Sequence, residues 1–99
     1  MFEIIKSDKF AKWIVQLKDR KAKSLIFKRI ARLEAGNFGD TKSVGDGVYE
    51  ARIHFGAGYR IYYSLEGLEV IILLIGGNKS SQSRDIEKAI EIQKEWKND

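Results

Sequence analysis

Cysteine and proline are both missing from this chain of 99 residues, and histidine occurs once. Without cysteine there is no disulfide framework and no thiolate metal site, and a single histidine does not make a structural zinc site. No metal or cofactor is therefore expected. No low-complexity stretch, internal repeat or composition break divides the chain, so residues 1–99 read as one domain. Long hydrophobic runs are missing as well. The longest, Val70 to Ile75, is far too short to cross a bilayer. The first residues alternate apolar and polar and lead into a charged segment, not into a secretion signal. The expectation is a cytoplasmic protein with no membrane contact.

What is present is a folded composition, 43% hydrophobic and 32% charged, with a net charge of +4. The excess is local. Residues 1–46 hold eleven Lys/Arg against six Asp/Glu, residues 47–79 hold three of each, and residues 80–99 hold four against five. A basic N-terminal half favours nucleic acid or an acidic protein partner.

The pattern predicts the order β-α-α-β-β-β-α, an α+β fold. Phe2 to Ile5 suits a short first strand. Ser7 and Asp19 are placed to cap two consecutive helices. Phe10, Trp13, Ile14 and Leu17 recur at helical spacing in the first, and Ala22, Ile26, Ile30 and Leu33 in the second, which Gly36 stops. Gly36 to Gly47 reads as loop. Val48–Phe55 and Tyr59–Ser64 alternate as strands around Gly56-Ala57-Gly58, and Glu69–Ile75 is a β-branched strand covered on both faces. A last helix is predicted from Ser80–Ser83, with Ile86, Ala89, Ile90 and Trp96 on its apolar side. The expected packing is an antiparallel sheet with the helical hairpin against one face. Alternation puts Arg52, His54, Arg60 and Tyr62 together on the other face, expected to be uncovered, with Lys79 approaching from the neighbouring loop. Such a set of cationic and proton-transferring groups suits work on a phosphate.

Three stretches carry a family resemblance: Gly47-Val48-Tyr49-Glu50-Ala51-Arg52, Gly58-Tyr59-Arg60-Ile61-Tyr62-Tyr63, and Leu74-Ile75-Gly76-Gly77-Asn78-Lys79-Ser80-Ser81-Gln82 followed by Asp85-Ile86. With the element order, they make the chain similar to the RelE/ParE superfamily of toxin–antitoxin toxins, and within it to the addiction-module killer branch (HigB-like, phage-derived). The resemblance covers nearly the whole chain. It implies an endoribonuclease that cuts translated mRNA at the ribosome and is silenced by a cognate antitoxin, often a helix-turn-helix protein, sometimes in higher-order complexes. The superfamily also has a gyrase-inhibiting branch that cleaves nothing. Ribosome-dependent members carry lysines on the second strand and a tyrosine near the C-terminus. Here Arg52 and His54 stand on the strand and the last helix has no tyrosine, so a mechanism needing that tyrosine is not carried over.

Metal-free RNA cleavage uses the substrate's 2′-hydroxyl as nucleophile and needs a base, an acid and cations for the phosphorane charge. Histidine is the one side-chain type whose ordinary pKa lies near neutrality, which makes His54 the candidate for proton transfer. Arg52 and Arg60 suit a bidentate clamp, and Lys79, beside a helix start, a third phosphate contact. Tyr62 is expected to stack on a base or donate its hydroxyl, and Gln82 to contact RNA. Lys21, Lys28 and Arg32 lie within about 40° of one another on the second helix and are candidates for RNA backbone. Each has a plainer alternative. Arg60 can pair with Glu50 across the hairpin, His54 can be a solvated strand end, and Lys79 and the helix cations can be ordinary surface charge.

Overall fold

The computed structural model describes residues 1–97. Its elements are β1 (Glu3–Lys6), α1 (Asp8–Gln16), α2 (Arg20–Glu34), β2 (Thr41–Gly45), β3 (Val48–Ile53), β4 (Tyr59–Glu66), β5 (Val70–Gly77), a 3-10 turn (Lys79–Ser81) and α3 (Gln82–Lys97). The α+β class and the predicted elements are all present, with one strand more. The five strands lie in the order β1-β5-β4-β3-β2. All neighbours are antiparallel except β1 and β5, which run parallel, so the sheet is mixed.

Both helix starts are capped as the sequence leads one to expect. The Phe10 amide donates to Ser7 Oγ at 3.0 Å and the Ala22 amide to Asp19 Oδ1 at 3.1 Å. Gly36 follows α2 at φ +87°, where a side chain is costly. The strand that the sequence conceals is β2, inside the segment read as loop. Its Lys42 and Ser43 are exposed, and only Thr41 and Val44 are partly covered. A polar edge strand has no hydrophobic alternation to betray it.

Two cores sandwich the sheet. Under the helical hairpin lie Phe10, Ile14, Ala22, Ile26 and Leu33, against Ala51, Ile61, Tyr63, Ile71 and Leu73. Under α3 lie Val48, Tyr62, Ile72, Leu74, Ala89 and Ile92. The face expected to be open is therefore largely roofed by α3, whose apolar side needs a partner of its own. Gly76 and Gly77 let both layers close onto the end of β5. A Cβ on Gly76 would lie 2.2 Å from the Trp13 ring, and one on Gly77 would lie 1.8 Å from Asp85 Oδ2.

Candidate functional site

The end of the β3–β4 hairpin escapes the α3 roof, and its register sets two arginines side by side. Arg52 and Arg60 are direct cross-strand partners, as are Glu50 and Tyr62 one step further in. Like charges facing each other across a ladder are unfavourable unless something else holds them. Two carboxylates do so from different directions. Arg52 Nη2 donates to Asp40 Oδ1 at 2.9 Å. Arg60 Nε lies 3.5 Å from Glu50 Oε2, which bears out the cross-strand pairing weighed for it, although the guanidinium also reaches Gly58 O through Nη1 at 3.3 Å.

Asp40 also holds the histidine. Its Oδ2 lies 2.6 Å from His54 Nε2, so one carboxylate spans Arg52 and His54. These two hydrogen bonds, His54 first and Arg52 second, hold the Asp40 carboxyl below its ordinary range. The Asp40 backbone is fixed too. Its carbonyl accepts from the Arg52 amide at 2.9 Å, continuing the β2–β3 ladder, and from Arg29 Nη1 at 3.4 Å. Arg29 Nη2 donates to the Arg52 carbonyl at 2.9 Å, which anchors this end of β3 to α2. Burial, followed by the nearby Arg32 charge, lowers the Arg29 pKa.

The connection Phe55–Gly58 closes the hairpin, with the Gly58 amide donating to Phe55 O at 3.0 Å. Gly58 has φ +75°, and a Cβ there would press on Lys79 Cβ at 3.3 Å. The bare backbone admits the Lys79 loop, whose amide donates to Ala57 O at 3.3 Å. A cleft of about 520 Å³ results, lined by Arg52, His54, Arg60, Lys79 and residues 55–58. The structure thus brings all four candidate catalytic residues to one cleft. Arg60 is 12% exposed at its side chain and His54 75%.

The candidate RNA-contacting residues fare differently. Tyr62 is fully buried under α3 and its hydroxyl donates to Glu50 Oε2 at 2.9 Å, so it neither stacks on a base nor reaches the cleft. Burial first, and the Glu50 carboxylate next, raise its pKa. Gln82 turns inward as well, its Nε2 donating to the same Glu50 oxygen at 2.9 Å. Tyr62 lies on the face expected to be open, which α3 covers, and Gln82, expected to contact RNA, is the first residue of that covering helix. At the helix start beside Lys79, one backbone N–H is already taken. Asn78 Oδ1 accepts from the Ser80 amide at 2.9 Å and from Ser80 Oγ at 2.6 Å. Of the α2 cations, Lys21 sits 5.3 Å over the Phe55 ring, beside the cleft. Lys28 lies on the outer helix face next to Phe27, and Arg32 lies beside Gly39. All three are exposed, and only Lys21 adjoins the cleft lining.

Sequence reasoning missed Asp40 and Arg29. Asp40 sits in a polar stretch without periodicity, and Arg29 was one cation among several on α2. Glu50 was seen only as a pairing partner. It is instead a buried node with Tyr62, Gln82 and Arg60 on one oxygen, while Oε1 has no hydrogen-bond partner among the described residues.

Comparison with known proteins agrees with this fold. The model of the family described as phage-derived protein Gp49-like (DUF891) matches residues 12–97. A Haemophilus influenzae protein described as uncharacterized is 50% identical over 80 residues, which are 81% of each chain. Among solved structures, a mutant of the E. coli toxin RelE in the free state superposes with a TM-score of 0.67 at 17% identity, covering 91% of this chain and 95% of that one. A chain of the intact E. coli RelBE toxin–antitoxin complex gives 0.62 at 19% identity, covering 79% of this chain and 96% of that one. The fold is that of RelE.

Proposed function

Because the chain belongs to the phage-derived Gp49-like (DUF891) family and has the RelE fold, we propose that it is the toxin of a toxin–antitoxin module and cuts mRNA at the ribosome. The observation that carries this reading is the cleft in which Arg52 and Arg60 face each other, with His54 and Lys79 on its rim. The two guanidinium groups suit a phosphodiester whose negative charge grows as the 2′-oxygen attacks phosphorus. With Asp40 on Nε2, His54 keeps Nδ1 for the proton of the 2′-hydroxyl. Asp40 is then a positioning residue: it fixes the tautomer and touches no substrate. Cleavage breaks the bond from phosphorus to the 5′-oxygen and leaves a 2′,3′-cyclic phosphate. The 5′-oxygen leaves as a hydroxyl, taking its proton from solvent, and Lys79 on the cleft rim supplies positive charge for it or for a flanking phosphate.

One similar solved structure is a toxin–antitoxin complex, which supports a cognate antitoxin as partner. The field of the basic half favours an acidic one.

The test uses purified chain with ribosomes and a translated message, reading 5′ ends by primer extension. New ends that disappear in Arg52→Ala support the reading. Intact message together with inhibited gyrase supercoiling would replace it with the non-nucleolytic alternative.

A further inference from the structure

Among the described residues Glu50 is the one fully buried carboxylate. It stands on the α3 side of the sheet, the side that also holds the core residues Val48, Tyr62, Ile72 and Leu74. Apolar residues of the same volume often serve stability as well as a buried charge, or better. The neighbours of Glu50 point to another use for it.

Two neutral donors fix the carboxylate. Tyr62, its direct partner across the β3–β4 ladder, donates from the hydroxyl to Oε2 at 2.9 Å, and Gln82, the first residue of α3, donates from Nε2 to the same oxygen at 2.9 Å. Among the described residues the one cation paired with it is Arg60, a cleft residue, with Nε at 3.5 Å and a side chain 12% exposed. The contact is an ion pair and not a hydrogen bond, since Nε keeps no hydrogen-bond partner among the described residues. Its strength is Coulombic, and a pair this buried is little screened by salt. Arg60 also faces Arg52 across the ladder, and that repulsion pushes its guanidinium outward. Glu50 opposes the push on the Nε side, while Gly58 O holds Nη1 at 3.3 Å. Nη2 is left for the cleft.

We propose that Glu50 is a positioning residue for Arg60: its fixed charge holds the guanidinium with Nη2 turned to the cleft, ready for a non-bridging oxygen of a phosphodiester. Glu50 itself touches no substrate. The consequence for cleavage rests on the nuclease reading, and the consequence for Arg60 geometry does not. The sign of the effect is distinctive. By field alone, removing a negative charge beside a cationic cleft strengthens anion binding. Removing a positioning charge weakens it.

The test is Glu50→Gln in the full chain. The amide keeps the size of the side chain and a carbonyl oxygen for Tyr62 and Gln82, so the charge alone is lost. The Arg60 Nε–H signal in nitrogen-15 spectra is assigned by its disappearance from Arg60→Lys. In the parent it should stand apart from the exposed arginines. In Glu50→Gln it should move toward them and exchange with water at least about tenfold faster. Glu50→Asp, which draws the charge back by one carbon, should move it less. Tyr62→Phe, which keeps the carboxylate and its Gln82 anchor, should lose stability and leave the signal in place. A short single-stranded DNA, an uncleavable phosphodiester, should bind Glu50→Gln about tenfold more weakly than the parent. RNA cleavage should fall about a hundredfold in the parent background and less than about tenfold in Arg60→Lys, where no guanidinium is left to aim. An Arg60 signal that stays put in both folded Glu50 variants or that moves as far in Tyr62→Phe, DNA bound by Glu50→Gln as well as or better than by the parent, or equal rate losses in the two backgrounds would overturn the proposal. If the parent cuts no RNA while the signal and DNA binding respond as expected, the nuclease reading falls and the positioning role stands.

Discussion

Arg52 and Arg60 are direct partners across β3 and β4, yet each leans on a carboxylate from elsewhere: Asp40 from the loop after α2, and Glu50 from beneath α3. Among the described residues, the buried Nε of each arginine has no hydrogen-bond partner. Repulsion held in place this way gives a phosphate something to relieve. If the planar fork matters, Arg60→Lys should keep the charge beside Glu50 while losing bidentate geometry. RNA cleavage should then fall about a hundredfold with the melting temperature nearly unchanged. A lysine variant as active as the parent would mean that a point charge suffices.

Asp40 predicts a pH effect. Its folded pKa is lowered by hydrogen bonds to His54 and Arg52, so the carboxylate favours the folded state. The sign follows from linkage: the contribution is fully present above the unfolded value of about 3.9 and is lost as pH falls through the lower folded value. Asp40→Asn should therefore lower the urea midpoint at neutral pH, and the gap from the parent should close in acid. A gap that persists unchanged into acid would assign the loss to packing. Because Asp40 also fixes His54, the variant should alter the pH profile of cleavage more than RNA affinity.

Most of the frame was legible from residue pattern. Ser7, Asp19 and Gly36 mark helix ends through local chemistry, and the alternation around Gly56-Ala57-Gly58 sets a register that puts Arg52 opposite Arg60. The coverage of each face was harder to read. Alternation assigns Tyr62 to a side, but says nothing of which helix lands on that side. The apolar stripe of α3, Ile86, Ala89 and Ile90, held the clue, since a stripe without a destination has to cover something. β2 and Asp40 escaped for a common reason. Edge strands and the loops before them are polar, and their roles come from partners distant in sequence.

Tyr62 separates a structural part from a functional one. Its hydroxyl donates to Glu50, a fully buried carboxylate whose other oxygen already lacks a partner among the described residues. Tyr62→Phe removes one donor from that site. The cost should be on the order of 1–3 kcal/mol in urea unfolding. Cleavage by the folded fraction should be unchanged, since the ring does not reach the cleft. A stable variant that no longer cuts RNA would return the tyrosine to the chemistry.

The Gly76-Gly77 pair makes the sharpest steric prediction. Both residues are extended backbone at the end of β5, where Trp13 closes from the hairpin side and Asp85 from the α3 side. Asp85 has little room to move, because Ser81 Oγ donates to it at 2.5 Å. A methyl group at Gly76 would meet three atoms of the Trp13 ring at 2.2 to 2.5 Å, so the ring and α1 must shift. Overpacking of this kind costs about 1–3 kcal/mol. Gly76→Ala should lower the urea midpoint accordingly, and Trp13→Leu, destabilising on its own, should cost less in the Gly76→Ala background. Such coupling in a double-mutant cycle identifies the clash, because unrelated losses would simply add. Additive losses would mean that glycine is needed at position 76 for a reason other than the tryptophan ring.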